Sequence, residues 1–220
     1  MKTFFMLKCT LLTMKSDVIE VHDRSADIYD DMSILVENHG HEVLFGLAFE
    51  HLSTGDSVLD IGIGTGLSSY LFHKAGLKVY GVDGSETMLD ICRKKEFAVE
   101  LKLCDLTAER WPYEDGKFEN VIACGIFHFF EKLDLFLKET NRVLKKDGTF
   151  SFTVMVSEDD ISYYTDTGSG LSIYYHSDFQ INELLNKYGF SMLKHINFFI
   201  YKAPDKKEKL MFKGHLAKKV

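Results

Sequence analysis

The sequence predicts an α/β fold: a doubly wound, mostly parallel sheet with helices on both faces, finished by an antiparallel hairpin. Three observations carry this. Short apolar runs alternate with amphipathic stretches between about residues 57 and 156, the pattern of a parallel sheet covered on both sides. The first of those runs passes directly into three closely spaced glycines, Gly62, Gly64 and Gly66. Near the end, two strand-like runs follow one another with no helix between them, so they must pair antiparallel. With 220 residues the chain has material for one full core, not two. One domain over 1–220 is therefore expected.

Two helices are expected first. Over 26–37, Ile28, Met32, Leu35 and Val36 recur at helical spacing; over 41–52, Val43, Leu44, Leu47, Ala48 and Leu52 do the same. SVLDI (57–61) reads as a buried strand. Leu67, Leu71, Phe72 and Ala75 mark a helix that Gly76 closes. KVYGV (78–82) is a second strand, and Ser85 is a cap for a helix over 86–95. VELKL (99–103) and ENVIAC (119–124) are the third and fourth strands, the latter entered through an Asp115-Gly116 turn. Leu133, Phe136, Leu137, Thr140, Val143 and Leu144 define a long helix with Gly148 as its stop, and TFSFTVMV (149–156) is the fifth strand. Ser157–His176 has no clear element and holds Tyr163, Tyr164, Tyr174 and Tyr175. A loop of that length suits a lid over a substrate. Ser177 and Gln180 form a capping box for a helix over 178–188 that Gly189 stops. The hairpin, about 191–217, turns at Pro204 and Asp205.

Composition narrows the function. An apolar fraction of 45% and a charged fraction of 27% are ordinary for a globular chain. The net charge of -7 disfavours a nucleic-acid partner, which calls for a basic surface. Six lysines in the tail (Lys206, Lys207, Lys209, Lys213, Lys218 and Lys219) read as a solvated strand edge. Cys9, Cys92, Cys104 and Cys124 form no C-x-x-C pair and have no histidine at zinc spacing. They read as reduced thiols of a cytoplasmic protein, and no metal is expected. The start, MKTFFMLKCTLLTM, is a poor signal peptide because Lys8 interrupts it. Residues 1–15 are expected to be a frayed extension, with Met14 as an alternative initiator, and no run is long enough for a membrane span.

The strongest chemical signal is VLDIGIGTG (58–66). Glycines at the carboxyl end of a sheet strand permit a tight turn and close approach of backbone to ligand. The spacing differs from the G-x-G-x-x-G of dinucleotide sites: the third glycine comes one residue early, and Leu67 follows it. Asp60 precedes the first glycine by two. A carboxylate there repels a pyrophosphate but suits an ammonium. Asp83, ending the second strand, is placed to accept ribose hydroxyls, and Gly84 leaves room beside the sugar. Asp105 ends the third strand, where it and the Leu106 N–H are suited to an adenine. Three acidic strand ends thus fit a ligand with an amine, a diol and an adenine.

VLDIGIGTG, VYGVDGSETML, LCDL, WPYEDGKFENVIACGIFHFF and VLKKDGTFSFTV together resemble the successive motifs of class I S-adenosylmethionine-dependent methyltransferases, over about residues 55–156. HDRSADIYDD (22–31) and the ending also resemble small orphan members, among them the one named for the Williams–Beuren syndrome region. The resemblance implies a Rossmann-like seven-stranded sheet with one reversed strand, and S-adenosylmethionine as cofactor. It implies that Asp60, Gly62, Gly64 and Gly66 hold the methionine moiety, Asp83 with Gly84 the ribose, and Asp105 with Leu106 the adenine. Cys124 and Gly125 would line the sulfonium region, and Tyr29 would fold over the cofactor. Trp111 stands where many relatives carry leucine and is expected to pack.

The reaction expected is direct SN2 transfer of a methyl group to a small molecule. His128, just past the fourth strand, is the candidate general base, with His176 second. There is no Asn-Pro-Pro-Tyr signature after that strand, which argues against methylation of an amide or base nitrogen. The alternatives are a protein or RNA methyltransferase, or a cofactor-binding partner protein without turnover. The acceptor and the assembly state are left open by the sequence.

Overall fold

A computed structural model describes residues 18–157, 159–166 and 171–220. The expectations for residues 1–15, including Cys9 and Met14, lie outside the described residues. Residues 18–25 are helical, and a 3-10 turn, Ala26–Ile28, leads into α1 (Tyr29–Leu35) and α2 (Gly40–Ala48). Then come β1 (Ser57–Ile61), α3 (Ser69–Lys74), β2 (Lys78–Asp83), α4 (Glu86–Lys94) and β3 (Ala98–Leu103). The second half holds β4 (Phe118–Ala123), α5 (Asp134–Val143), β5 (Leu144–Met155) and the short strands β6 (Tyr163–Asp166) and β7 (Ser172–Tyr175). It ends with α6 (Asp178–Lys187), β8 (Phe190–Tyr201) and β9 (Lys209–Lys219).

Seven strands form one sheet in the order β3-β2-β1-β4-β5-β9-β8. Neighbours from β3 to β5 are parallel, and β9 runs antiparallel to both β5 and β8. Strand order reverses between β1 and β4, and the crevice at the carboxyl ends of those strands is where such sheets bind ligands. Each face carries its own core. Phe136, Leu137 and Val143 of α5 and Ile181 and Leu185 of α6 pack with Leu59, Ile61 and Phe150. Ala48, Phe72, Leu89 and Cys92, from α2, α3 and α4, pack with Val58, Ile122 and Leu216 on the other face. Val58 and Leu59 are neighbours in β1 yet enter different cores, as the twofold alternation of a strand requires.

The caps follow the sequence. Ser85 Oγ accepts from the Met88 N–H at 3.0 Å, and Ser177 Oγ from the Gln180 N–H at 3.2 Å. The second half of the capping box does not form. Ser162 Oγ donates to Gln180 Oε1 at 2.7 Å, while the Ser177 N–H donates to Ser162 at 3.0 Å. Gly76 and Gly189 end their helices with φ of 89° and 73°.

Three expectations are corrected. The fifth helix ends at Val143, and the chain enters β5 at once because Leu144 pairs with Phe118. Gly148 lies inside β5, where an added Cβ would stand 2.8 Å from the Glu119 carbonyl oxygen. It permits a bulge to pass close to β4 and does not stop a helix. Second, the stretch Ser157–His176 contains an antiparallel hairpin, with Tyr163 opposite Tyr175 and their rings stacked at 4.2 Å. Third, the lysine-rich strand β9 is not an edge: it lies between β5 and β8. Lys213 is 8% exposed and paired with Asp178, and Lys219 Nζ donates to the carbonyls of Asn141 and Leu144 at 2.6 and 2.8 Å. Those lysines hold the last strand against α5 and α6. Among the described residues no helix is long and apolar enough to cross a membrane.

Candidate functional site

A cleft of about 680 Å³ opens at the carboxyl ends of β1 and β4. One wall is the glycine turn, from Gly62 to Ser68. Gly62, Gly64 and Gly66 have φ of 71°, 53° and 85°, left-handed values that side chains disfavour. The three glycines serve different ends. An added Cβ on Gly62 would strike Ile126 at 2.5 Å, and one on Gly66 would strike Phe97 and Cys92 at 2.6 and 2.8 Å. Gly66 therefore faces the core and lies off the cleft; its role is helix-to-strand packing. Gly64 has open space where a Cβ would be, and it lines the cleft.

Asp60 sits beneath this turn, 1% exposed. Ser69 Oγ donates to its Oδ2, while Oδ1 is buried without a partner. Burial pushes its pKa up to about 7, only partly offset by Ser69. A buried acceptor without a donor is costly, and an ammonium or a water beside Gly62 would satisfy it.

Asp83 is half-buried at the end of β2. The Gly64 N–H donates to Oδ2 and the Ser85 N–H to Oδ1, both at 2.8 Å. Burial raises its pKa despite these donors. Beside it, the helical stretch 18–25 covers the region predicted to admit the sugar. Ile19 Cδ1 lies 3.1 Å from a Cβ built on Gly84, and Ser85 Oγ donates to Asp23. Neither Asp83 nor Gly84 lines the cleft. Asp105 and Leu106 lie off it too. Asp105 accepts from the Thr107 N–H at 2.9 Å, and the Leu106 carbonyl accepts from Trp111 Nε1 at 3.2 Å. Trp111 is 1% exposed and packs on Phe136, as expected.

Cys124 and Gly125 line the cleft below the glycine turn. Gly125 has φ of 71° and donates its N–H to Thr153 Oγ1 at 2.8 Å. Burial pushes the Cys124 thiol up to about 12, so it remains protonated. Cys92 and Cys104 are buried. Tyr29 lines the opposite wall, its phenol raised to about 12 by burial.

His128 lines the cleft with Nδ1 buried and unpartnered, its ring packed against Phe129 and Phe212. Burial, then His22 and His176, lowers its pKa to about 3. That imidazole is neutral at any working pH and a weak proton acceptor, which removes much of its suitability as a general base. His176 is not at the cleft. It is 2% exposed, with Nε2 3.2 Å from the Phe127 carbonyl oxygen and Nδ1 3.3 Å from Gln180 Oε1. It ties the end of β7 to the turn after β4.

Sequence reasoning missed the groups that shape the rest. Thr65 Oγ1 donates to Asp30 Oδ1 at 2.5 Å, and Lys95 Nζ lies 2.5 Å from Asp30 Oδ2. Asp30 thus ties α1 to the glycine turn and to α4. Its place beside Tyr29 in the sequence was the available signal. His22, Phe198 and Phe212 also line the cleft, with Thr165, Ile173 and Tyr175 from the β6–β7 hairpin. No local pattern marks residues brought together by two separate hairpins.

Residues 59–152 match the family described as a methyltransferase domain. The chain is 26% identical over 149 residues to a malonyl-acyl-carrier-protein O-methyltransferase of Legionella pneumophila, covering 66% of this chain and 51% of that protein. It is 32% identical over 142 residues to a demethylmenaquinone methyltransferase of Bacillus mycoides, covering 60% and 59%. The chain spans about half the length of the curated relatives it matches. In structure it is similar to the 1,6-didemethyltoxoflavin-N1-methyltransferase of Burkholderia thailandensis, solved with S-adenosylhomocysteine bound. The TM-score is 0.74 at 18% identity, covering 96% of this chain and 89% of that one. The matched stretch runs through the five parallel strands, with the glycine turn and the acidic strand ends in sequence, and over it the chain is similar to a methyltransferase domain.

Proposed function

We propose that the chain is one domain that transfers a methyl group from S-adenosylmethionine to a small molecule held in the cleft. The observation that carries this reading is the continuity of the cleft. It runs from the glycine turn, past Cys124 and His128, to a pocket roofed by the β6–β7 hairpin. A volume of about 680 Å³ is within the range of small-ligand sites.

The residues present fit the cofactor. Gly64 leaves room for close approach, and the unpartnered Oδ1 of Asp60 needs a donor. Asp60 would hold the ammonium, directly or through water, with Gly62 and Gly64 beside the methionine chain and Gly66 packing behind them. Asp83 would accept the ribose hydroxyls, with Gly84 beside them. That requires the stretch 18–25 to shift, since Ile19 now covers Gly84. Asp105 and the Leu106 N–H would take the adenine, and Tyr29 would close over the cofactor. The sulfonium, when bound, supplies an electrophilic methyl group whose carbon–sulfur electron pair leaves with sulfur.

The protein's own part is alignment and exclusion of water. Cys124 and Gly125 form the floor. The β6–β7 hairpin acts as the lid. His128 contributes a neutral imidazole that can exchange a hydrogen bond with the acceptor. Titration with S-adenosylhomocysteine and NAD tests the cofactor assignment: binding of the first and not the second is expected, and the reverse overturns it. His128→Gln should lower turnover while sparing S-adenosylhomocysteine affinity. The wild-type rate should show no limb between about pH 5.5 and 8.5 from this residue, because its pKa lies near 3. A limb in that range that disappears in the variant would restore His128 as a general base.

A further inference from the structure

The acceptor half of the cleft has a one-sided charge. Its apolar surface comes from Phe198, Ile200, Leu210 and Phe212 of β8 and β9, with Met155 and Ile173 opposite. Its ionisable side chains are His22, His41, His128 and Lys202, with the phenol of Tyr175. An imidazole is neutral or positive, never negative. Among the described residues no aspartate or glutamate lines the cleft, although the chain as a whole carries -7. The nearby carboxylates are committed elsewhere. Asp60 and Asp83 lie behind the glycine turn, Asp30 is held by Thr65 and Lys95, and Glu42 faces His39 and His41.

Resting on the methyltransferase reading, we infer that the acceptor is an amphipathic organic anion: an apolar body seated against β8 and β9, with its ionised group at Lys202. Among the described residues a cationic amine would find no carboxylate on these walls, and it would face the sulfonium of the cofactor. Lys202 stands at the outer end of the apolar strip. Its ion pair with Glu208, at 2.7 Å, is between side chains 60% and 68% exposed. Such exposed pairs contribute little and exchange readily, so an incoming anion can replace Glu208.

The test uses the full chain saturated with S-adenosylhomocysteine and two probes that differ in charge, 4-phenylbutanoate and 4-phenylbutylamine. Saturation-transfer NMR and titration should find the carboxylate about two- to fivefold tighter, the scale of a solvent-exposed ion pair. Lys202→Met, which keeps the apolar stem, should erase that preference while leaving S-adenosylhomocysteine affinity unchanged. Equal or tighter binding of the amine overturns the inference, as does failure of both probes to bind or a preference that survives Lys202→Met. Failure of S-adenosylhomocysteine to bind counts against the methyltransferase reading instead, and the probe comparison on the free protein still reads the charge preference of the cleft.

Discussion

Asp60→Asn separates the cost of a buried carboxylate from its use. The side chain is 1% exposed, Ser69 serves one oxygen, and the other is unpartnered. Its pKa rises from 3.8 to about 7, a shift that amounts to about 4 kcal/mol against the ionised form in the folded protein. The sign follows from proton linkage. Between those two values the folded state binds a proton that the unfolded state has lost. The associated stability is complete below the unfolded pKa and disappears as pH rises through about 7. From about pH 5.5 to pH 8 the free wild-type protein should lose about 2 kcal/mol through this group. Asp60→Asn should lose that slope, leaving whatever Asp83, whose pKa is also raised, contributes to both. Cofactor binding should run the other way: an ammonium at Oδ1 favours the carboxylate, so S-adenosylhomocysteine affinity should increase with pH through about 7. In the variant it should fall by about ten- to a hundredfold and lose its pH dependence. Urea unfolding at several pH values and calorimetric titration read the two effects separately. Identical slopes in the two proteins would refute the burial argument, and undiminished affinity in Asp60→Asn the assignment of the ammonium.

The last two glycines of the turn should respond differently. Gly66→Ala drives a methyl group into Phe97 and Cys92 at a φ of 85° and should destabilise the fold by at least about 2 kcal/mol in urea unfolding. Gly64→Ala meets open space and should cost about 1–2 kcal/mol of stability while sharply weakening S-adenosylhomocysteine; equal stability losses in the two would contradict the division of roles. Asp30→Ala leaves the buried Thr65 hydroxyl without its acceptor and should speed hydrogen exchange over residues 18–35 by about tenfold or more, since an unsatisfied buried group costs about 1–3 kcal/mol. Unchanged protection there would show that Asp30 does not anchor α1.

Element order was legible because the central parallel strands are buried on both faces and therefore read as short, mostly apolar runs. SVLDI, with Val58 and Leu59 in opposite cores, is such a run. The glycine turn was legible for a different reason: positive φ leaves few residues that fit. What failed to show were effects of tertiary pairing. Gly148 looks like a helix stop in sequence, yet its position is set by the β4 carbonyl it passes. The lysines of β9 look like an exposed edge until Asp178, Asn141 and Leu144 are found against them. His128 lines the cleft, and its lowered pKa comes from burial and from His22 and His176, which lie far from it in sequence.

The cleft divides along the chain as it divides by charge. The acidic groups beside it, Asp60 and Asp83, belong to β1 and β2 and sit behind the glycine turn. Its imidazoles and its lysine come from the stretch 18–25, from α2, from the turn after β4 and from the β8–β9 connection. A sulfonium cofactor would lie between these halves, with carboxylates on one side and none among the described residues on the other. The arrangement has an energetic consequence. Transfer of the methyl group would leave the sulfur neutral, so an anionic acceptor would keep Lys202 as its partner but lose its attraction to the sulfonium across the cleft. The charge pattern that would draw donor and acceptor together would therefore favour separation of the two products, with no residue required to change its protonation state.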